Sequence, residues 1–276
     1  MRDRIIVAAI LVPLLLIILL FLPTYVFAVF IAIVCAISAY EFSHTVGAKE
    51  HERITIYAVF SATLIPVGIF FGEGRIVFTT VLLTLLSIVF IEAILVYKMK
   101  SQITFAQIMA TVFGAVLIPY MLSSLIVLRN MQHGHLFVLL PLVSACITDG
   151  GAYFVGVFLG KRRAFPLISP KKTVEGYIGG IVIGTASMMI YGAIVYFTTL
   201  LEVRLWALLL YGIIGSVVTE LGDLVFSLIK REYDIKDFGR LLPGHGGMLD
   251  RADSMVFAAP TMLLLVAVIP AIIVTN

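Results

Sequence analysis

The chain has 276 residues, of which 61% are hydrophobic and only 13% carry a charge. Soluble domains contain about 25% charged residues, so this composition excludes an ordinary soluble protein and indicates one that crosses a membrane several times. The formal net charge of +3 is too small to indicate nucleic-acid binding, and the charges cluster in loops rather than on one face. We therefore expect no nucleic-acid partner.

Nine apolar runs each approach the ~20 residues that a helix needs to cross ~30 Å of hydrocarbon. They cover residues 4–22, 24–42, 54–71, 75–97, 103–128, 135–160, 174–200, 204–230 and 254–275. The first run is longer than the apolar core of a signal peptide and lacks a small-x-small cleavage site, so we expect it to be retained. The sequence therefore predicts an all-α polytopic membrane protein with about nine transmembrane helices.

Lysine and arginine are distributed unequally between the two sides of this topology. With the N-terminus in the cytoplasm, the inner segments hold 16 of the 19 basic residues, and the outer segments hold only Arg75, Arg129 and Arg204. Basic loops tend to remain cytoplasmic, and an even number of spans would break the alternation. We therefore predict a cytoplasmic N-terminus and two basic cytoplasmic loops, residues 161–173 and 231–250.

Acidic residues inside apolar spans are costly and usually face a cavity or a partner. Asp149 lies in the sixth span, and Glu220 and Asp223 lie three residues apart in the eighth. The eighth span carries a polar stripe at helical spacing, formed by Ser216, Glu220, Asp223, Ser227, Lys230 and Arg231. We expect this stripe to line a hydrophilic cavity, and the alternative is structural hydrogen bonding between helices.

The most polar segment runs from Ser227 to Asp253, between two apolar spans. It combines basic residues, carboxylates, glycines and a histidine, and a helix is expected directly after it. Cations neutralise phosphates, carboxylates hold metal ions, and glycines let backbone N–H groups approach an anion closely. Asp250 or Asp253 could instead cap the following helix. The combination favours triphosphate chemistry at the cytoplasmic face.

Two blocks of this half of the chain form a recognisable signature. The downstream block contains Ser227-x-x-Lys230-Arg231, Lys236-Asp237, Pro243-Gly244-His245-Gly246-Gly247 and Asp250-Arg251-x-Asp253. The upstream block contains Asp149-Gly150-x-Ala152-Tyr153, Gly160-Lys161 and Ser169-Pro170-Lys171-Lys172-Thr173-Val174-Glu175-Gly176. Together they resemble the motifs of the phosphatidate cytidylyltransferases (CDP-diacylglycerol synthases), although Gly151 stands where that family more often has Ser or Thr.

The resemblance implies transfer of the cytidylyl group of CTP to phosphatidic acid, which gives CDP-diacylglycerol and pyrophosphate for phospholipid biosynthesis. It also implies Mg²⁺ as cofactor and a place in the bacterial inner membrane, with the active site facing the cytoplasm. The lipid phosphate is already an anion, so the nucleophile needs no strong base, and the difficulty is its repulsion from the triphosphate. We therefore expect catalysis by positioning and charge neutralisation.

Site residues follow from matching this chemistry to the signature. Asp223 and Asp250 are the first candidates for Mg²⁺, and Asp149 and Asp253 would bind a second cation or orient the first. The cations expected to act on the phosphates are Lys171, Lys172, Lys230, Arg231, Lys236 and Arg251. Further substrate contacts are predicted for Ser169, Thr173 and Ser227 through their hydroxyls and for Gly244, Gly246 and Gly247 through their backbone N–H groups. His245 either donates to a phosphate or base or is a structural loop histidine, and Glu220 is expected to be supporting structure.

The seventh span carries Gly176, Gly180 and Gly184 at four-residue spacing, which favours close helix packing over a ligand role. This face, and the first spans, for which no motif was found, leave room for a homodimer. We accordingly assign residues 1–130 to packing and oligomer contacts and residues 131–276 to a catalytic transmembrane region.

Three other functions are alternative interpretations of these residues. A secondary transporter could use Asp149, Glu220 and Asp223 as proton or ion relays, but these acids lie toward one face and no internal repeat is evident. A related CTP-dependent enzyme, such as a polyprenol kinase or an enzyme that cytidylylates an ether lipid, is the nearer alternative. The CDP-alcohol phosphotransferases require an Asp-Gly-x-x-Ala-Arg run, which the sequence at Asp149 does not provide.

Overall fold

The computed structural model describes residues 16–47, 51–99, 101–199, 201–241 and 246–273. Within these ranges, eight helical segments are long and apolar enough to cross a membrane: Thr24–Thr45, Glu52–Phe70, Gly74–Leu95, Phe105–Asn130, Gly134–Leu159, Val174–Thr199, Leu205–Glu232 and Leu249–Val268. They correspond to the predicted second to ninth spans. The first predicted span lies outside the described residues, apart from residues 16–22. The prediction of an all-α polytopic membrane protein is confirmed.

The described residues form eleven helices and four short strands. The helices are α1 (Thr24–Thr45), α2 (Glu52–Phe70), α3 (Gly74–Leu95), α4 (Phe105–Val112), α5 (Ile118–Leu122), α6 (Ser124–Asn130), α7 (Gly134–Phe137), α8 (Leu139–Leu159), α9 (Val174–Thr199), α10 (Leu205–Glu232) and α11 (Leu249–Val268). A π-helical turn, Phe113–Leu117, joins α4 to α5. The strands β1 (Arg163–Phe165) and β2 (Ser169–Thr173) pair antiparallel, as do β3 (Glu202–Val203) and β4 (Ile272–Ile273).

Two differences from the predicted elements concern the basic loops. The loop at residues 161–173 contains the β1–β2 hairpin, in which Arg163 lies opposite Thr173. The last helix begins at Leu249, five residues earlier than predicted, so Asp250 and Asp253 belong to α11 itself. Its start is satisfied by a distant carboxylate, described below, and the local sequence does not show this.

The packing divides the chain into two units. The first comprises residues 1–127 and 233–252, and the second comprises residues 128–232 and 253–276. The polar segment that follows α10 is thus grouped with the N-terminal helices. The predicted assignment of roles to residues 1–130 and 131–276 concerns function and stays a prediction.

In the first unit, aromatic packing fixes the end of α1. The ring of Phe42 is fully buried, and its centroid lies 5.6 Å from that of Phe113 in the π-helical turn and 5.6 Å from that of Phe238. Gly114 permits the first contact, because an added Cβ there would lie 2.6 Å from a ring carbon of Phe42. The end of α1 is therefore held on two sides within this unit.

In the second unit, the predicted glycine face of α9 is confirmed as a helix-packing surface. A Cβ at Gly176 would lie 2.8 Å from the carbonyl oxygen of Ala152 on α8, and a Cβ at Gly180 would overlap the carboxylate of Glu220 on α10. A Cβ at Gly184 would overlap hydroxyls of α8 and α10. All three glycines are buried. This face is therefore occupied within the chain, and the homodimer stays a prediction without its support.

Candidate active site

Five ionisable side chains of the second unit gather around the ammonium group of a sixth, Lys172. We call this set the charged cluster; it consists of Asp149, Lys172, Glu220, Asp223, Lys230 and Asp253. Its members come from α8, the end of β2, α10 and α11. Four carboxylates and two ammonium groups give the cluster a formal charge of −2 when all are ionised.

Direct contacts link the members of the cluster in pairs. The Nζ of Lys172 donates to Oδ2 of Asp223, and the Nζ of Lys230 lies 4.0 Å from Oδ2 of Asp253. The hydroxyl of Ser254 donates to Oδ2 of Asp149 at 2.9 Å. Asp223 of α10 is thus bound to Lys172 of β2, and Asp253 of α11 faces Lys230 of α10. Such pairing is what allows charges to lie below a protein surface.

Lys172 lies at the end of β2, just before α9, and is partly buried, with 26% of its side chain exposed. Burial lowers the pKa of Lys172 below its ordinary value of 10.5, because desolvation disfavours the ammonium form. The carboxylates of Asp149, Glu220 and Asp253 oppose this shift, whereas Lys230 reinforces it. Lys172 is therefore a partly desolvated cation surrounded by acids.

The polar stripe of α10 supplies half of the cluster. Ser216, Glu220, Ser227 and Lys230 are buried and Asp223 is half-buried, so this stripe faces protein. Arg231 is the exception, because it is exposed and its Nε donates to the carbonyl of Ile168 at 3.1 Å. That bond ties the end of α10 to the β1–β2 hairpin.

The deeper part of the stripe is packed against α8 and α9. The hydroxyl of Thr148 donates to that of Ser216 at 2.9 Å, beside Gly184. The Oε1 of Glu220 is buried beside Gly180 and has no hydrogen-bond partner within the described part of the chain. A buried acceptor without a partner is costly, so this oxygen is a candidate to receive a ligand or water.

Residues of the β1–β2 hairpin have mostly local partners. The hydroxyl oxygen of Thr173 is buried and accepts the N–H of Gly176 at 3.1 Å, which caps the start of α9. Lys171 is exposed, and its carbonyl accepts from the guanidinium of Arg163 at 2.9 Å. Ser169 is half-buried. The predicted contacts of Ser169, Lys171 and Thr173 with phosphate stay predictions.

The first unit holds the remaining predicted residues. Asp250 is buried, and its Oδ2 accepts the N–H of Phe238 at 2.8 Å and that of Gly247 at 3.0 Å. Gly246 adopts a φ of +83°, which favours glycine. Lys236 and Arg251 are exposed, and Gly244 and His245 lie outside the described residues. Because its N–H is bound to Asp250, Gly247 does not present that group to a nucleotide in this conformation.

The structure therefore brings Asp149, Asp223 and Asp253 together with both lysines in the second unit. Asp250 belongs to the first unit. A metal ion shared by Asp223 and Asp250, which was the first sequence-based choice, stays a prediction.

Comparison with known proteins assigns the chain to a family. A family-wide sequence model described as the cytidylyltransferase family matches residues 2–269. The chain belongs to the cytidylyltransferase family. This membership covers almost the whole sequence and does not favour the transporter alternative.

Similar members of the cytidylyltransferase family come from bacteria. The phosphatidate cytidylyltransferase of Bacillus subtilis (strain 168) is 43% identical over 169 residues, which are 61% of each chain. That of Staphylococcus haemolyticus (strain JCSC1435) is 43% identical over 129 residues, 47% of this chain and 48% of the relative. That of Staphylococcus aureus (strain COL) is 41% identical over 137 residues, 50% and 51% of the two chains. The match thus spans about half to three fifths of these relatives' length.

The charged cluster has the donor chemistry that Mg²⁺ prefers. Within the described ranges, no three His, Cys, Asp or Glu side chains are close enough together to form a complete metal site. Mg²⁺ does not require one, because it usually binds through one or two carboxylates and keeps several waters or substrate phosphates. The formal charge of −2 and the unpartnered Oε1 of Glu220 therefore fit a divalent cation.

Sequence reasoning misses the environment of three residues in this protein. It expects Glu220 only as supporting structure, and neither Ser254 nor Glu41 is among the predicted site residues. The carboxylate of Glu41 is buried and accepts the N–H groups of Met248 at 3.0 Å and Leu249 at 2.9 Å. The available signal was an acid at the end of the second apolar span, which is costly without a partner. For Ser254 the sequence contained no comparable signal.

Proposed function

We propose that this protein transfers the cytidylyl group of CTP to phosphatidic acid and releases pyrophosphate, in the membrane of a bacterium. The observation that carries the proposal is the charged cluster around Lys172, in which carboxylates and lysines meet within a membrane protein. Membership in the cytidylyltransferase family and 43% identity to a phosphatidate cytidylyltransferase support the choice of substrates. A CTP-dependent lipid kinase is the alternative that the experiment below separates from it.

The reaction needs charge neutralisation more than proton transfer. An oxygen of the phosphatidate phosphate attacks the α-phosphorus of CTP and forms a P–O bond there. The bond from the α-phosphorus to the oxygen that bridges to the β-phosphate breaks, and pyrophosphate leaves with both electrons. Lys172 and Lys230 supply positive charge in a partly desolvated site, where each charge acts more strongly than in water.

Carboxylates of the charged cluster would hold the metal. We assign this role to Asp223 with Asp149 or Asp253; the metal-binding role predicted for Asp250, in the first unit, is a separate prediction. A bound Mg²⁺ supplies neutralisation of the triphosphate and orients its oxygens. Within the cluster itself, Ser254 holds the Asp149 carboxylate in place and Lys172 holds that of Asp223.

The exposed basic residues form the proposed entry for the nucleotide. In the second unit these residues are Lys171 and Arg231, whereas Lys236 and Arg251 belong to the first unit and their contacts with phosphate stay predictions. Solvent-exposed cations raise the local concentration of an anionic ligand and accelerate its binding more than they contribute to catalysis. The distribution of basic residues along the chain supports placing this side in the cytoplasm, where CTP would be available.

Two isotopic positions in CTP distinguish the candidate reactions. Purified protein is mixed with phosphatidic acid in detergent micelles, Mg²⁺ and CTP labelled with ³²P at either the α- or the γ-phosphate. Cytidylyl transfer carries the α label into the lipid phase and leaves the γ label in water as pyrophosphate. A CTP-dependent kinase gives the opposite distribution, and a transporter labels no lipid. Either of these two outcomes would reject the proposed function.

Matched variants test the site within the same assay. Asp223→Asn removes the charge that Lys172 binds while keeping the side-chain shape, so we expect loss of transfer without loss of folded protein. Glu232→Gln is the control, because Glu232 is exposed at the end of the same helix. If Asp223→Asn transfers the label at the same rate as the control, Asp223 does not belong to the active site.

A further inference from the structure

Glu41 is a buried acid in the half of the chain that carries no sequence motif. It lies near the end of α1, and only 5% of its surface is exposed. Its carboxylate accepts hydrogen bonds from the backbone of the segment that opens α11, more than 200 residues away in sequence. An acid inside an apolar span is costly without a partner, and these backbone N–H groups are the partners of Glu41.

The two carboxylate oxygens of Glu41 bind different backbone groups. Oε1 accepts the N–H of Met248 at 3.0 Å, and Oε2 accepts the N–H of Leu249 at 2.9 Å. The first N–H groups of a helix have no partner within the helix, and a negative charge there is favoured by the helix dipole. Glu41 therefore does for α11 what a local capping residue does for most helices.

Two glycines make room for this carboxylate. A Cβ at Gly239 or at Gly247 would overlap the oxygens of Glu41. The chain at positions 239 and 247 thus approaches Glu41 more closely than any larger residue would allow. The glycine at position 247 is explained by Glu41 without reference to a nucleotide.

Asp250 is linked to the same arrangement. It follows Leu249 directly, and its Oδ2 binds the N–H groups of Phe238 and Gly247. The ring of Phe238 packs on Phe42, the residue next to Glu41. The backbone around Asp250 is therefore fixed by α1 through one carboxylate and one aromatic contact.

We infer that Glu41 is a positioning residue that holds the start of α11, and with it the carboxylate of Asp250, in the geometry needed for cytidylyl transfer. The inference rests on the proposed function and on the assignment of Asp250 to the active site. On this inference the N-terminal helices contribute to the reaction by supporting the backbone that carries Asp250.

The first test is Glu41→Gln. The amide keeps one oxygen acceptor but turns an NH₂ group toward the second backbone N–H, so one of the two bonds is lost. Losing a buried hydrogen bond of this kind corresponds to a change of about 10- to 100-fold in rate. We therefore expect kcat to fall by that factor, while the KM for phosphatidic acid changes less than about threefold. Glu52→Gln is the control, because Glu52 is an exposed acid in the same unit. Equal kcat values for Glu41→Gln and the control would overturn the inference.

Hydrogen–deuterium exchange gives a readout that does not depend on turnover. In the intact protein in detergent, the peptide that covers residues 246–252 should exchange at least about tenfold faster in Glu41→Gln, because one of the Met248 and Leu249 amides loses its acceptor. Peptides from α9 should be unchanged. Unchanged exchange in residues 246–252 would also overturn the inference.

A double-mutant cycle separates this contact from general destabilisation. Gly239→Ala adds a methyl group against Glu41, so it should lower kcat and speed exchange in the wild-type background. In a Glu41→Ala background the methyl group has room, and Gly239→Ala should then add less than about a twofold further change. Fully additive effects would contradict the inference. If Glu41→Gln does not yield monodisperse protein, Gly239→Ala perturbs the same contact from the other side, and the same readouts decide.

The two proposals fail in different ways. Wild-type protein that moves no α label into lipid rejects the proposed function, whereas the exchange measurement still reports on the contact of Glu41. Wild-type transfer together with normal kcat and normal exchange in Glu41→Gln rejects the positioning role alone.

Discussion

Replacing Lys172 with methionine tests the charged cluster most directly. Methionine keeps an unbranched apolar stem but removes the ammonium group that binds Asp223. The formal charge of the cluster then changes from −2 to −3, in the region where an anionic triphosphate and an anionic lipid phosphate would have to meet. The variant should therefore lose transition-state stabilisation as well as an ion pair.

The size of the effect follows from the partial burial of the pair. Lys172 and Asp223 are 26% and 22% exposed, so their environment is neither bulk water nor a dry interior. At an effective dielectric constant of about 20, a unit charge ~5 Å from a phosphate oxygen contributes ~3 kcal/mol, which is roughly 10²-fold in rate. Lys171→Met is the matched comparison, because Lys171 is the exposed neighbour in the same strand. An exposed charge contributes ~0–1 kcal/mol, or up to about fivefold, and we expect it to appear mainly in the KM for CTP.

The assay is transfer of the α label of CTP into lipid, measured over a range of CTP and phosphatidic acid concentrations. We expect kcat for Lys172→Met to fall roughly 10²-fold and that for Lys171→Met to fall much less. Thermal denaturation in detergent checks that both variants are folded. Similar kcat values for the two variants would show that burial in the cluster has no catalytic consequence, and our account of the site would then be wrong.

Three further outcomes are expected. Because burial lowers the pKa of Lys172 from 10.5, this side chain loses its charge at a lower pH than an exposed lysine does. The alkaline limb of the pH–rate profile should therefore begin below pH 10.5, and it should be absent from Lys172→Met. Gly184→Ala would press a methyl group on the hydroxyls of Thr148 and Ser216, so it should lower the free energy of unfolding by ~1–3 kcal/mol. In Gly150→Ala the added methyl group meets nothing within 4 Å, so the stability of that variant should be nearly unchanged. Equal melting temperatures for the two variants would contradict this packing. EDTA should abolish transfer and excess Mg²⁺ should restore it, and activity that survives chelation would remove the metal from the proposal.

Membrane spans were predictable because each is a local property of about twenty consecutive residues. All eight spans within the described residues were expected near their observed positions, and the glycine spacing of α9 predicted a packing face that the structure confirms. The start of α11 was not predictable, since its capping group is the carboxylate of Glu41 and not a neighbouring side chain. The β1–β2 hairpin was missed for a related reason, because its short strands are polar and depend on pairing.

The candidate site was predicted unevenly. Residue types and spacing identified Asp149, Glu220 and Asp223 as acids that need partners, and the resemblance to a family attached a chemistry to Asp149, Asp223 and Asp253. The same reasoning treated Lys171 and Lys172 alike, although one is exposed and the other is bound to Asp223. Neighbours in a strand point to opposite sides, so a pattern of residue types does not by itself show which lysine is buried.

By itself, the sequence determined that this protein crosses a membrane many times and that its C-terminal half carries a cytidylyltransferase signature, and it predicts that most of its basic residues lie on one side. These properties are encoded in hydropathy, charge and residue order over short stretches. Only the tertiary structure decided that Lys172 pairs with Asp223, 51 residues away, and that Glu41 caps a helix 208 residues away. Buried charges must find partners, and helix packing selects which of several available partners each one meets.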